Sequence, residues 1–289
     1  MPLTFSIVTF NTREASAIDA LFDQIIAFGG WRRRGPNRVY TGKGAFTLVL
    51  RHIPLNSQGN VVAASSLAQL FDESNVDEDF TIFYGCAGVV EPRWVDHVFL
   101  VGEVTYASLG TVSMTAPSGP SEQVTLKNKW ICHTSPKEVE PLPAVSFPSV
   151  LGHGAINLSR ITGIEVAHVM ATDKVVKVGA SASAPAPLLH GSAHKSYSKQ
   201  DWTYGDALAH VKDNCGGRPL LVEMESFGIG MLAKALKVED RAVVIRVTTD
   251  SLVDHLGSDP QQAAMLLKFN RAVLAVIIPI TKQAWGLKP

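Results

Sequence analysis

Short apolar runs rich in β-formers alternate along this chain with segments of helical periodicity. That alternation restricts it to a sheet covered by helices. LTFSIVTF (3–10) reads as a buried strand. Ala15, Ile18, Leu21, Phe22 and Ile25 follow at helical spacing, with Asn11 or Thr12 as the cap. RVYTG and AFTLVLRHI (38–42 and 45–53) read as a strand pair, VVAASSLAQLF (61–71) as a helix, and FTIFYGCAGVV (80–90) as a buried strand entering a glycine-containing turn. EVAHVMATDKVVKV (165–178) and RAVVIRVTTD (241–250) are further strands, and WTYGDALAHVKDNCGG (202–217) holds a helix ended by its glycines. GSDPQQAAMLLKFNRAVLAVII (257–278) predicts one long helix, capped by Ser258 or Asp259, with Pro260 in its first turn. Between about 91 and 165 the mixed pattern predicts surface strands and long loops. No internal repeat is present. In such α/β sheets ligands bind at the carboxyl ends of strands, which puts 11–14, 85–88 and 248–250 at one rim.

The chain has 289 residues, 46% apolar and 18% charged, which makes it core-rich and globular. Its formal net charge of zero argues against nucleic acid or an acidic membrane as the main partner. Three cysteines lie far apart, with no Cys/His spacing that suits a metal, so neither a structural zinc nor another metal is expected. MPLTFSIVTF has no basic leader region, and the apolar run 272–280 is too short to span a bilayer. A soluble, cytoplasmic protein is the expectation.

One stretch resists the simple pattern. LLVEMESFGIGMLAKAL (220–236) is apolar through a strand and then a helix, yet Glu223 and Glu225 sit at the junction around Met224. A buried carboxylate costs several kcal/mol unless it is paired or holds a ligand. Alternatively, Glu223 is a solvated strand-end group or a partner for the helix dipole. GCAGVV (85–90), VEMES (222–226), VIRVTTD (244–250), NVVAASSLAQLF (60–71) and REASAIDALF (13–22) together resemble, in order and spacing, the nucleoside phosphorylase/nucleosidase superfamily. The opening is most similar to methylthioadenosine/S-adenosylhomocysteine nucleosidases. The resemblance covers nearly the whole chain.

That resemblance implies a three-layer α/β/α domain with a central mixed β-sheet, over 1–289, elaborated around 105–200. It implies hydrolysis of the N-glycosidic bond of a purine nucleoside or nucleotide, with no cofactor and often as a dimer or higher homo-oligomer. Asp250 would protonate the purine at N7, and Glu14 would activate a water. Glu225 would accept from the ribose hydroxyls, Met224 would pack on the sugar, and Cys86, Ala87 and Gly88 would line the pocket. Glu223 and Phe227 are further binding candidates; Phe227 or Trp202 would stack on the base. The chemistry fits: cleavage builds positive charge on the sugar and negative charge on the leaving base.

Phosphorylases of the superfamily hold phosphate with an arginine three residues before the serine of the glycine turn. Here Phe83 stands in that place and Cys86 in the serine's. Water is therefore favoured as nucleophile, although Arg13, Arg51 and His52 offer another phosphate site. The WRRRGPNR cluster (31–38) is a solvated loop or a clamp for substrate phosphates; Lys195, His194 and His190 allow the same choice. Arg246 reads as a structural partner inside the sheet. Cys86 has no partner pattern for a nucleophile, and the GxG of 228–230 lacks a third glycine, which argues against a dinucleotide. Two alternatives stay open: a phosphate-dependent phosphorylase, and a nucleoside-binding sensor without turnover, for which Glu14 would be needless.

Overall fold

The computed structural model describes residues 3–27, 30–41, 46–72, 80–106, 111–115, 125–129, 144–152, 156–172, 176–178, 187–189, 211–251 and 259–286. Trp202, His190, His194, Lys195 and Ser258, singled out above, lie outside these residues.

The chain opens with β1 (Leu3–Thr9), buried along its whole length, and α1 (Thr12–Ala27), whose Ala17, Ile18, Leu21, Phe22 and Ile25 face the core. An edge hairpin follows, β2 (Trp31–Arg34) and β3 (Asn37–Thr41), then β4 (Thr47–Pro54), α2 (Asn60–Asp72) and β5 (Phe80–Val89). Next come β6 (Val98–Tyr106), a separate hairpin of β7 (Thr111–Thr115) and β8 (Thr125–Lys129), and β9 (Ala144–Ser146). Two short helices, α3 (Pro148–Leu151) and α4 (Leu158–Thr162), precede β10 (Glu165–Ala171) and the small pair β11 (Val176–Val178) and β12 (Pro187–Leu189). The last third holds β13 (Leu220–Glu223), α5 (Ser226–Leu236), β14 (Ala242–Ser251), α6 (Asp259–Phe269) and α7 (Ala272–Ala284).

The result is a mixed α/β fold around a central mixed sheet, ordered β13-β10-β6-β14-β5-β1-β4-β3-β2. β1, β4, β5 and β14 run parallel, while β6, β10 and β13 run the opposite way. β13 also pairs with β5, antiparallel, with Leu221 opposite Val89 and Val222 opposite Gly88. That second pairing closes β13-β10-β6-β14-β5 into a ring, from which β1, β4, β3 and β2 extend as an open wing.

Two expectations change. β6 is a central strand with Phe99, Leu100, Val101 and Val104 buried, where surface strands and loops were expected. Gly102 and Glu103 interrupt its apolar run, and Glu103 is accommodated by an ion pair with Arg218 at 2.6 Å. The C-terminal helix is two helices, broken at Asn270 and Arg271. Asn270 is buried there and its side-chain amide donates to the Ala17 carbonyl at 2.9 Å, fixing the turn against α1. By length and composition alone Asp259–Ala284, 26 residues of hydropathy 1.8, could cross a membrane. Leu266, Val273, Val276, Ile277 and Ile280 of this stretch are buried in the protein core.

Candidate active site

The ring closure creates the site. Residues 85–88 of β5 are flanked by β14 on one edge and approached by β13 on the other. Arg246 stands opposite Gly85, Val247 opposite Cys86 and Thr248 opposite Ala87. A register shift after Thr248 makes Thr249 an extra residue, so Asp250 falls opposite Gly88. On the other edge Val222 also faces Gly88. Glu223, Met224 and Glu225 thus leave β13 beside the glycine-containing end of β5, where 85–88 are strand paired with β14 and not the expected turn. They meet the other segments because the sheet closes, since β13 runs against β5 and does not end at a common carboxyl rim.

Glu14 reaches the same segment of β5 from α1. Asn11 and Glu14 cap each other: Asn11 Oδ1 accepts from the Glu14 amide at 3.0 Å, and Glu14 Oε2 accepts from the Asn11 amide at 3.2 Å. Oε2 also accepts from the Phe10 amide at 2.8 Å, while Oε1 accepts from the Cys86 amide at 2.9 Å and from its thiol at 3.3 Å. The first-turn glutamate is thereby turned inward, only 3% exposed. Burial, and then the charge of Glu14, push the Cys86 thiol up, so it stays protonated and acts as a donor.

The two glutamates of the β13–α5 junction do different things. Glu223 accepts from the amides of Glu225 and Ser226 at 3.0 Å, capping α5, and from Arg246 Nη2 at 2.6 Å and Nε at 3.2 Å. These contacts are all with protein. Glu225 accepts from the Gly59 amide at 3.2 Å and lies 3.4 Å from Arg246 Nη2, which leaves its carboxylate acceptor capacity to spare. Its pKa is pushed up to about 8 by burial and by Glu223, against the pull of Arg246. Burial disfavours the Arg246 charge, but Glu223, Glu225 and Glu14 outweigh it and hold the guanidinium protonated.

Arg246 is the residue whose importance the strand pattern alone hides. Among the described residues it is the largest fully buried side chain, and its Nη1 has no hydrogen-bond partner. Gly85 permits this arrangement: a Cβ there would lie 2.5 Å from Arg246 Nη1 and 2.8 Å from Glu14 Oε1. Phe83 is buried and stacks on Phe10, with ring centroids 6.2 Å apart.

The other candidates fall around this cluster. Met224, Phe227, Cys86, Gly88 and Asp250 are half-buried, and Ala87 is buried. Phe227 stacks on Tyr106 at 4.6 Å, so one of its faces is already used. The alternative cations are engaged elsewhere: Arg13 pairs with Asp259 and Gln262 at 2.5 and 2.6 Å, and His52 with Thr9 and Asp19. Arg32, Arg33 and Arg34 are exposed on the edge hairpin, and Arg38 is buried over the Phe22 ring. No group of three His, Cys, Asp or Glu able to hold a metal occurs among the described residues.

No protein-family model matches the chain, and no curated protein sequence does. Solved structures do. The 5′-methylthioadenosine/S-adenosylhomocysteine nucleosidase of Campylobacter jejuni aligns with a TM-score of 0.51 at 14% identity, over 95% of this chain and 98% of that one. A variant of the Helicobacter pylori enzyme with 5′-methylthioadenosine in its active site gives 0.54 at 12% identity, over 96% and 100%. The futalosine hydrolase of Helicobacter pylori gives 0.52 at 13%, over 96% and 98%. The chain thus shares the fold of the methylthioadenosine/S-adenosylhomocysteine nucleosidases and futalosine hydrolases.

Proposed function

We propose that the protein hydrolyses the N-glycosidic bond of a purine nucleoside or nucleotide and releases the free base. The observation that carries this reading is the meeting of Glu14 and Arg246 at Gly85. There a carboxylate oxygen and a guanidinium nitrogen without a hydrogen-bond partner among the described residues both close on Gly85, one able to take a proton from water and the other to donate to it. Around them Glu14, Glu223 and Glu225 face a single arginine; with Glu225 holding its proton below about pH 8, two carboxylates still outnumber the one guanidinium. Such a surplus of acceptors stabilises a sugar acquiring positive charge and repels a phosphate dianion.

The division of labour follows from the contacts. Glu225, with acceptor capacity to spare, takes the ribose hydroxyls, and Met224 packs on the sugar. Cys86, Ala87 and Gly88 line the pocket beside it. Asp250, set opposite Gly88 by the bulge, donates a proton to the base nitrogen as the C–N bond breaks. Water adds to the anomeric carbon and gives its proton to Glu14, leaving a free base and a ribosyl product. Glu223 serves mainly to hold Arg246 and cap α5. The reading includes a single three-layer α/β/α domain over 1–289, elaborated around 105–200, acting in the cytoplasm as a homo-oligomer on small molecules.

The test is base release from a panel of purine nucleosides, methylthioadenosine and adenine nucleotides, with and without phosphate. Release independent of phosphate is expected. Release only with phosphate, yielding ribose 1-phosphate, would overturn the assignment of water as nucleophile. Tight binding of one compound without any release would make the protein a sensor.

A further inference from the structure

A second polar cluster lies behind the site, between β1, β4 and α1. His52 Nδ1 is 2.9 Å from Asp19 Oδ1 on α1, and its Nε2 is 3.0 Å from Thr9 Oγ1 at the end of β1. The His52 side chain is 6% exposed and its ring meets Phe22 edge-on at 6.1 Å. Arg38, over the other side of Phe22, and Asp23, 3.8 Å from Arg38, complete the charged groups around it. Burial lowers the His52 pKa below its usual value, with Asp19 opposing, so the ring is neutral near pH 7. Asp19 can only accept, which fixes the imidazole proton on Nδ1 and leaves Nε2 to accept from the Thr9 hydroxyl.

The order Thr–His–Asp has the geometry of a nucleophile and its base. Thr9, however, is wholly buried and cannot meet a substrate. What the cluster does hold is the backbone. Thr9 directly precedes Phe10 and Asn11, whose amides grip Glu14 Oε2, and Asp19 lies further along the helix that carries Glu14. Thr9 also accepts from the Leu55 amide at 2.9 Å, so β4 pins the same residue twice.

We propose that His52 is a positioning residue for Glu14: by clamping Thr9 and Asp19 together it fixes the β1–α1 junction that aims the carboxylate at Gly85. The inference rests on the proposed role of Glu14 in water activation. Misplacement of a reacting group by about 1 Å costs on the order of a hundredfold in rate, so kcat carries the effect and KM does not.

The experiment compares His52→Leu, His52→Gln, His52→Asn and Thr9→Val. Gln keeps a polar group where Nε2 meets Thr9, and Asn keeps one where Nδ1 meets Asp19. Hydrogen exchange at the Phe10 and Asn11 amides is read beside kcat and KM for base release. Expected are faster exchange and a kcat lowered roughly tenfold to a hundredfold in His52→Leu and Thr9→Val, with KM within about twofold. His52→Gln and His52→Asn, each keeping one of the two contacts, are expected to fall between wild type and His52→Leu, and the Thr9→Val/His52→Leu pair to lose no more than His52→Leu alone. Unchanged exchange at both amides in Thr9→Val and in whichever His52 variants fold overturns the proposal. Altered exchange in a protein whose wild type releases no base supports the clamp and overturns the proposed reaction instead.

Discussion

Arg246 donates to Glu223 at 2.6 Å, and both side chains are sealed from solvent. The guanidinium is held by the glutamate that also caps α5, which leaves Nη1 turned toward Gly85. Removing either partner strands a buried charge. Glu223→Ala and Arg246→Met are each expected to cost roughly 3–5 kcal/mol, measured by urea unfolding. Losses below about 1 kcal/mol in both would mean that the cluster does not hold the β13–α5 junction.

Glu225 makes stability depend on pH in an unusual direction. Its folded pKa of about 8 lies above the ordinary carboxylate value of 4.5, so the folded state binds the extra proton between those limits. The ligand-free protein is therefore expected to lose stability from this group as pH rises from about 5 to about 8. Glu225→Gln flattens that slope. Thermal unfolding across the range checks it; a slope of the same size in the variant would place its origin elsewhere.

Gly85 tests the geometry of the proposed water site. In Gly85→Ala the new methyl meets Arg246 Nη1 and Glu14 Oε1 at distances no real Cβ contact shows. Overpacking of this kind costs about 1–3 kcal/mol, and displacement of Glu14 lowers kcat by roughly a hundredfold or more. Full activity in the alanine variant, with normal stability, would sink the assignment of these two groups to one site.

Glu14→Gln removes the base and, because both carboxylate oxygens accept from donors, keeps only the bonds made to one of them. Base release should fall on the order of 10²–10⁴-fold, with little change in ligand affinity. A loss confined to affinity would make Glu14 a binding group.

Cys86 is half-buried, yet its thiol is pushed up by burial and by Glu14. Alkylation by iodoacetamide near pH 7 is expected to be slower than in the unfolded chain, and faster in Glu14→Gln than in the native protein. Rapid modification of the native thiol would contradict the hydrogen bond to Glu14.

The parallel strands β1, β5 and β14 and the helices after β1 and β13 were legible because each is an apolar run of distinct period bounded by a cap or a glycine. The site segments were legible as motifs. Which of Glu223 and Glu225 keeps acceptors free was not, because that depends on Arg246 arriving from β14, twenty-odd residues later in the chain. Nor was the β13–β5 pairing, a long-range contact with no local signature. β6 escaped notice because Gly102 and Glu103 break its apolar pattern, and Glu103 finds its partners far along the chain, in His168 and Arg218. His52 looked like a spare cation for phosphate; its two partners show that it is spent on the β1–α1 junction.

The ring has a consequence for how copies of this chain can meet. With β13 pairing back onto β5, the path of the sheet ends at β2, where Arg32, Arg33 and Arg34 are exposed in succession. Three like charges on a terminal strand repel a second such strand brought alongside, so this margin resists runaway stacking of sheets between molecules.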